Sequence, residues 1–341
     1  MDTKERMLEL FEHHRGIYFS GEMIAEKLNV SRTAVWKAVK NLQKEGYRID
    51  AVRNKGYCLS EKTDILSEQG IGKYLKPVCE EIQIHVEESV DSTNTLVRKQ
   101  AELGAAEGYT LIANRQTSGR GRRGRTFYSP ADTGIYLSIL LRPKQFTAQQ
   151  AVRLTTIAAV AACEALERVS GKKAEIKWVN DVFMNGKKVC GILTEASFGL
   201  EDGFLEYAVL GIGMNVCPPK DGFPETLTEI AGTVFAEAQN DGKNKLAAEF
   251  LNRFMEYYRA PKHGDYQTEY RKRSFVIGKE IEVISGGKSE WARAIFSISK
   301  RSLQNYRDNR QIPYTTLGGK ILYPQSSLYK LLEQHYMKAQ R

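Results

Sequence analysis

The sequence QTSGRGRRGR occupies residues 116–125 and places four arginines and three glycines in the seven consecutive positions 119–125. Glycine lets the backbone adopt positive φ and approach a ligand closely, and arginine carries a planar, permanently charged group that suits carboxylate and phosphate. This segment, the arginine–glycine loop, predicts a flexible cationic loop that closes over an anionic small molecule. For an isolated basic run, a solvated loop or a nucleic-acid-binding patch is the alternative interpretation.

The residues that follow this loop decide between two folds. Gly119, Gly121 and Gly124 match the G-x-G-x-x-G fingerprint of dinucleotide-binding folds, in which a helix opens at the glycines and holds the pyrophosphate. Here residues 126–134 have the composition of a loop, and the apolar segment 135–141 is typical of a strand. We therefore predict that the glycines serve a loop between two strands, which excludes a Rossmann turn.

The composition limits the class of protein without naming a partner. A chain of 341 residues is long enough for two or three domains, and a net charge of +9 permits an anionic partner of any kind. The five cysteines are scattered and include no C-x-x-C pair, which argues against a disulfide framework or a zinc site. No apolar run approaches ~20 residues, and the chain starts with an amphipathic pattern, so we expect a cytoplasmic protein without a membrane partner.

Residues 1–62 show the pattern of a winged helix-turn-helix module. Three amphipathic helical segments, the third at 32–45 with Ser31 as its cap, precede strand-like segments at 47–52 and 56–59. We predict that the start of the third helix and the wing bind DNA through basic and polar residues, namely Ser31, Arg32, Thr33, Trp36, Lys37, Arg53 and Lys55. A small protein-interaction module with a solvated basic face is the alternative.

Strand-like and helical segments alternate from residue 63 to residue 273, and the strands outnumber the crossover helices. This pattern predicts a central mixed β-sheet with flanking helices. Residues 274–325 begin with an alternating strand and a glycine turn, which predicts a small β-barrel, and residues 326–341 form an unassigned tail. The predicted fold class is therefore α+β.

Polar clusters follow several strand ends of the middle domain, at residues 91–94, 116–125, 177–193 and 211–215. The side chains of Ser92, Thr93 and Asn94 suit either a helix cap or a polar ligand ring, and taken alone they favour the cap. The glycines of the last cluster would let a ligand approach a strand.

A hairpin signal fixes the position of two lysines. Asn185-Gly186 is typical of a tight turn between two strands, which places Lys187 and Lys188 at the start of the second strand. Because side chains alternate between the two faces of a strand, only one of these lysines can enter a pocket.

The motifs G-R-G-R-R-G-R, K-W-x-N-D, G-K-K-x-x-G-I-L and G-I-G-x-N occur in this order and resemble those of biotin–protein ligases. With the winged helix, residues 1 to about 285 resemble the bacterial biotin ligases that also repress the biotin operon. The resemblance implies a central sheet like that of class II aminoacyl-tRNA synthetases and an SH3-like C-terminal barrel. It also implies that biotin and ATP form biotinyl-5′-adenylate, from which a lysine of a biotin carboxyl carrier domain displaces AMP.

The resemblance further implies a role for individual residues. It assigns catalysis to Lys188, Arg122 and Arg125, because two anions, the carboxylate and the triphosphate, must be brought together by positive charge. Biotin binding falls to Arg122 and Lys188 together with Ser92, Thr93, Asn94, Gln116, Gly119 and Arg120. Adenylate contacts fall to Asn180, Asp181 and Asn215. Mg²⁺ would accompany ATP, and no metal site of the protein itself is assigned.

The resemblance also implies operator DNA as a partner and a homodimer when the adenylate is bound. Two other functions remain open. One is a repressor that senses biotin without ligating it, against which the intact loop and lysine argue. The other is a lipoate ligase, for which neither the arginine–glycine loop nor the winged helix is expected.

Overall fold

The computed structural model describes residues 1–143, 146–199, 203–259, 266–277, 280–285 and 288–293, with 304, 307, 315–317 and 320–322. Its contacts divide the chain into two units, residues 1–275 and residues 276–341. The finer domain limits expected after residues 62, 273 and 325 stay predictions.

The first unit begins with the elements of a winged helix in the predicted order. They are α1 Thr3–His13, α2 Gly21–Leu28, α3 Arg32–Lys44, β1 Ile49–Val52 and β2 Gly56–Leu59, with β1 antiparallel to β2. Ser20 and Ser31 accept hydrogen bonds from the third residue after each of them, and so start α2 and α3. Met7, Phe11 and Leu42 are fully buried in a core that is separate from the core of the sheet.

The rest of the first unit is built around a seven-stranded mixed sheet. Its helices are α4 Glu68–Gly72, α5 Thr93–Glu102, α6 Ala148–Ser170, α7 Glu225–Thr228, α8 Gly242–Arg259 and α9 Tyr266–Arg273. Its strands are β3 Gln83–Val90, β4 Tyr109–Gln116, β5 Gly134–Leu141, β6 Glu175–Lys177, β7 Asp181–Met184, β8 Lys187–Phe198 and β9 Leu205–Asn215. The strand order is β3-β4-β5-β9-β8-β7-β6, with only β3 and β4 parallel among these neighbours. The mixed sheet with flanking helices is as predicted.

Helices cover the two faces of this sheet unequally. Helices α6 and α8 share a large core with alternate strand residues such as Ile112 and Leu210. The residues between them, including Leu111 and Val209, face the shorter helix α5 on the other side. Because α5 is only 10 residues long, this second face retains space beside it for a ligand.

Within the described residues, no helix is both long and apolar enough to cross a bilayer.

The described part of the second unit contains two antiparallel hairpins. Strand β10 Glu280–Ser285 pairs with β11 Lys288–Arg293, and β12 Thr315–Leu317 pairs with β13 Lys320–Leu322. Of the rest of the predicted barrel, only residues 274–277, 304 and 307 are described, and the tail 326–341 lies outside the described residues.

A group of buried charges joins α1 to the domain that carries the sheet. We call Glu12, Arg15, Lys73 and Asp241 the four-charge cluster. Arg15 Nη2 lies 2.8 Å from a carboxylate oxygen of Glu12 and 2.8 Å from one of Asp241. Lys73 Nζ lies 2.5 Å and 2.7 Å from the other oxygens of the same two groups. No side chain of the cluster is more than 9% exposed, so each charge depends on its partners.

Candidate active site and DNA-binding surface

A cleft opens on the α5 side of the sheet, with about 480 Å³ of empty space including its open mouth. The clusters predicted from the sequence meet here, although they are far apart along the chain. Eight of the predicted site residues line it, namely Ser92, Thr93, Asn94, Gln116, Arg120, Arg122, Asn180 and Lys188.

The first wall of the cleft is a hydrogen-bonded polar group at the start of α5. The backbone N–H and the hydroxyl of Thr93 both donate to Gln116 Oε1, at 2.9 Å and 3.1 Å. Ser138 Oγ donates to Asn94 Oδ1 at 2.6 Å. Ser92 makes no side-chain cap to α5, so the helix-cap interpretation does not hold for its hydroxyl. Instead, the side chain of Gln116 on β4 accepts the hydrogen bond from the first N–H of α5. This bond connects the first residue of the arginine–glycine loop to the helix.

Glu195 on β8, which was not among the predicted site residues, joins the arginine–glycine loop to this polar wall. Its carboxylate lies 3.1 Å from Arg120 Nη1 and accepts a 2.8 Å hydrogen bond from Asn94 Nδ2. Glu195 lies two residues after Leu193, which lines the cleft, so strand alternation places both on one face. That spacing was the available signal.

If the cleft binds biotin, as the sequence resemblance implies, Glu195→Gln is expected to raise the KM for biotin about fivefold while changing kcat less, because the loop loses one partly exposed ion pair. Steady-state AMP formation at varied biotin concentration measures this effect. Glu206→Gln is the matched control, since Glu206 lies exposed on the neighbouring strand β9 and bonds only Ser197 among the described residues. Equal KM values for the two variants would refute the role of Glu195.

Arg122 holds the loop to the far side of the cleft. Its Nη1 donates to Asn180 Oδ1 at 2.9 Å, and Asn180 Nδ2 donates to the backbone oxygen of Ile192 at 2.9 Å. Arg120 and Arg122 are thus fixed at opposite walls, and their guanidinium groups border the space between them. Such donors fixed in place stabilise negative charge without reorganising when it develops.

Lys188 brings an ammonium group to the same cleft. Its Nζ lies 2.8 Å from Asp181 Oδ1, but this buried oxygen accepts no well-aligned hydrogen bond from any described residue. The attraction is therefore mainly electrostatic, and a ligand anion can compete for the ammonium. Lys187 points away from the cleft and donates to the backbone oxygen of Thr228 at 2.8 Å. The prediction that only one of the two lysines enters the pocket is confirmed.

The ring of Phe127, which was not among the predicted site residues, covers the floor of the cleft. A Cβ atom at Gly213 would lie 2.5 Å from Phe127 Cε1, and one at Gly191 would lie 3.1 Å from Cε2. A Cβ atom at Gly211 would lie 2.0 Å from Asn94 Oδ1. All three glycines line the cleft and also accept close contacts from the protein's own side chains, and the expected approach of a ligand to Gly211 and Gly213 stays a prediction.

The remaining predicted site residues lie beside the cleft or away from it. Gly119 packs against the backbone oxygen of Phe127 and leaves no room for a side chain. Asn215 Nδ2 donates to the backbone oxygen of Gly232 at 3.1 Å. Arg125 is exposed and does not line the cleft, so its catalytic role stays a prediction. Within the described ranges, no group of three or more histidine, cysteine or acidic side chains is placed to hold a metal ion.

The predicted DNA-binding residues lie on α3 and at the tip of the β1–β2 hairpin. Arg32, Thr33, Trp36 and Lys37 are exposed at the start of α3, and Arg53 and Lys55 are exposed at the wing. Ser31 Oγ accepts the N–H of Ala34 at 3.1 Å, so this hydroxyl caps the helix. The arrangement presents a helix N-terminus and a basic hairpin to the solvent, as a recognition helix and wing require.

Two family models match this chain in the regions described above. Residues 86–215 match the biotin/lipoate A/B protein ligase family, and residues 3–58 match an HTH domain. The chain is 39% identical over 228 residues to the bifunctional ligase/repressor BirA of Bacillus spizizenii, covering 67% of this chain and 69% of that protein. It is 30% identical over 290 residues to BirA of Escherichia coli, covering 84% of this chain and 85% of that protein.

Solved structures agree with this assignment at the level of the fold. A biotin protein ligase of Aquifex aeolicus in complex with biotin and ATP superposes with a TM-score of 0.53 at 24% identity, covering 72% of this chain and 96% of that one. A variant of that ligase in complex with biotin gives a TM-score of 0.51 at 27% identity, over 62% of this chain and 86% of that one. The chain therefore belongs to the biotin/lipoate A/B protein ligase family and, within it, to the bifunctional ligase/repressors with an N-terminal helix-turn-helix domain.

Proposed function

We propose that this chain uses ATP to attach biotin to a lysine of a biotin carboxyl carrier domain, through biotinyl-5′-AMP, and represses transcription in response to biotin. One observation carries the enzymatic part. Arg120, Arg122 and Lys188 border a single cleft whose other wall is formed by hydroxyl and amide groups. Positive charge suits the carboxylate and phosphates, and the neutral polar wall suits the ureido ring, which carries donors and an acceptor.

The first step joins two anions. A carboxylate oxygen of biotin attacks the α-phosphorus of ATP, the bond from that phosphorus to the bridging oxygen breaks, and pyrophosphate leaves. In the proposal, Lys188 exchanges Asp181 for the reacting carboxylate or α-phosphate, and Arg122 exchanges Asn180 for a phosphate oxygen. Lys188 would exchange one anion for another, and Arg122 would exchange a neutral amide for an anion, so the positive charges are in place before the reaction.

The second step transfers the acyl group. The neutral amine of the carrier lysine attacks the carbonyl carbon of the mixed anhydride. The bond between that carbon and the phosphate oxygen breaks, AMP leaves, and the nitrogen loses a proton. Water would hydrolyse the same bond. We assign the exclusion of water to the arginine–glycine loop, which lies across the cleft between Glu195 and Asn180.

The nucleotide is assigned to the far end of the cleft. Asn180 lines that end, Asp181 follows it in the chain, and Asn215 follows Gly213, a lining residue, by two positions on β9. Mg²⁺ is proposed as the ion that accompanies the substrate ATP, since it is commonly bound by one or two carboxylates together with phosphates. Asp181 fits that requirement, because its carboxylate becomes available when Lys188 turns to the substrate.

Mass spectrometry of a carrier protein tests the ligase function. Incubation with the full chain, biotin, ATP and Mg²⁺ is expected to add one biotinyl group, and a carrier whose acceptor lysine is changed to alanine is expected to remain unmodified. An unmodified wild-type carrier, with biotin-dependent DNA binding retained, would instead support a repressor that does not ligate. Transfer of lipoate in preference to biotin in a competition assay would support a lipoate ligase.

Repression is proposed to act through α3 and the wing. An adenylate-bound homodimer would present two recognition helices to a two-fold operator, because such helices bind half-sites about one helical turn apart. A gel-shift with the upstream region of a biotin biosynthesis operon is expected to show complex formation only with biotin and ATP present. Equal binding without them would refute the dependence on the adenylate.

The finer features of the fold and location are proposed on the same basis. We infer that the hairpins β10–β11 and β12–β13 belong to an SH3-like barrel, and that the sheet is related to that of class II aminoacyl-tRNA synthetases. We also propose a cytoplasmic location, because the proposed reaction needs ATP and a biotin carboxyl carrier protein.

A further inference from the structure

Helix α3 presents one large apolar side chain on its outer, basic face. Trp36 is 52% exposed, whereas Val35 and Val39 beside it are buried in the core of the winged helix. Since residues three and four apart share a helix face, Trp36 lies between Thr33 and Lys40. Within the described part of the chain, its indole takes part in no hydrogen bond or ring contact. The core therefore gives no reason for tryptophan at this position.

The surroundings of this indole are complementary to DNA. Arg32, Lys37, Lys40 and Lys44 are all exposed along α3. The nearest opposing acid at the end of the helix, Glu45, is already paired with Lys4 at 2.7 Å. A surface of this charge attracts the phosphate backbone, while a neutral apolar partner would have to leave several cations without partners.

The position of Trp36 along α3 distinguishes it from these cations. In helix-turn-helix proteins, the first turns of the recognition helix face base edges in the major groove, and flanking residues contact phosphates. Base edges there present hydrogen-bonding groups, with one apolar exception, the C5-methyl group of thymine. An indole offers a wide carbon surface and a single N–H donor, so it matches the methyl group better than any other feature of the groove.

Building on the proposed DNA binding, we propose that Trp36 selects operator sequence by packing on thymine C5-methyl groups in the major groove. The operator half-site would then carry thymine where the second turn of α3 meets the bases. Arg32 and Thr33, one turn closer to the N-terminus, would supply the hydrogen bonds to neighbouring base edges. Lys37 and Lys40 would contact phosphates, which position the helix without reading sequence.

Replacement of thymine by deoxyuracil tests this directly, because it removes the methyl group and leaves every hydrogen-bonding group unchanged. Duplexes selected from a random library by the full wild-type chain with biotin and ATP provide the starting DNA. Each thymine is then changed singly to deoxyuracil, and affinity is measured by fluorescence anisotropy at one salt concentration. At one or two positions per half-site, wild type is expected to bind about three- to fourfold more weakly, as the loss of one buried methyl group predicts.

Three variants identify the residue responsible. Trp36→Ala is expected to bind thymine DNA more weakly than wild type and to lose its sensitivity to deoxyuracil at those positions. Lys37→Ala is expected to weaken binding equally for thymine and deoxyuracil duplexes. It is also expected to reduce the slope of log affinity against log salt concentration by about one, because one phosphate contact is lost. Leu103→Ala removes a 72% exposed side chain of the other domain and is expected to match wild type. Thermal unfolding of each variant establishes that the winged helix remains folded.

Two results would overturn the inference while leaving DNA recognition intact. One is a wild-type affinity that no deoxyuracil substitution changes. The other is a folded Trp36→Ala variant that stays sensitive at the same positions. Failure of the wild-type chain to select any sequence with biotin and ATP present would overturn the proposed DNA recognition, and this inference with it.

Discussion

Lys188→Met is expected to reduce biotin-dependent AMP formation by about a hundred- to a thousandfold, the effect of removing one preorganised charge from the reacting atoms. Lys188 is the ammonium at the cleft, and its partner Asp181 holds it there without an aligned hydrogen bond. Methionine keeps an unbranched side chain of similar length but cannot offset the charge that gathers when carboxylate meets triphosphate. Pyrophosphate release at saturating biotin and ATP measures the loss in kcat.

Lys187→Met is the matched control, because it removes the same charge one residue earlier in the same strand. Lys187 donates to the backbone oxygen of Thr228 on the opposite side of β8 from the cleft. Its loss is expected to change the rate less than about threefold, as for a surface contact. Comparable rates for the two variants would show that Lys188 acts only as one positive charge among many. The assigned role would then be wrong.

The two lysines also show what the sequence could predict. The turn Asn185-Gly186, with φ of 50° and 76°, fixes where β8 starts, and alternation along β8 then separates Lys187 from Lys188. The start of the strand and the opposite directions of the two lysines both follow from rules about neighbouring residues, so the sequence alone was enough to predict them. The winged helix was predictable for the same reason, since its caps and helix faces are local patterns.

Residues that depend on contacts between distant elements were not predictable. Phe127 followed the arginine–glycine loop in a segment that looked only like a connection, yet its ring rests on Gly191 and Gly213 of two other strands. That contact depends on the pairing of Gly191 with Gly213 in β8 and β9, which no local pattern specifies. Gln116 likewise accepts the first N–H of α5, a cap that lies 23 residues from Thr93 in sequence.

Glu12→Gln is expected to lower the free energy of unfolding of the first unit by about 3–5 kcal/mol, since it removes one charge from a buried, paired group. The Glu12 carboxylate is fully buried and serves both Arg15 and Lys73. With glutamine in its place, two buried cations would share the single carboxylate of Asp241. Urea unfolding of the full chain measures the change, and Glu9→Gln on the exposed side of α1 is the matched control, expected within about 0.5 kcal/mol of wild type.

A second substitution separates charge balance from packing. Lys73→Met alone is expected to destabilise, because it leaves Glu12 and Asp241 with only Arg15 between them. Combined with Glu12→Gln it restores neutrality, so the double variant is expected to lose less than the sum of the two single losses. Additive losses would mean that the groups act independently, and a Glu12→Gln variant as stable as Glu9→Gln would mean that the cluster contributes nothing.

The cluster also bears on how the two functions are joined. Burial opposes the charge of Arg15, yet the hydrogen bond from Arg15 to Glu12 and the two carboxylates hold the pKa of Arg15 above its ordinary value. Burial and the hydrogen bond to Asp241 raise the pKa of Tyr74, so its hydroxyl stays protonated and donates to that carboxylate at 2.7 Å. Glu12 belongs to α1 and Arg15 to the turn that follows it, whereas Lys73 and Asp241 belong to the domain with the cleft. If the cluster fixes α3 relative to that domain, Glu12→Gln should weaken biotin-dependent DNA binding below the unfolding transition, where Glu9→Gln should not.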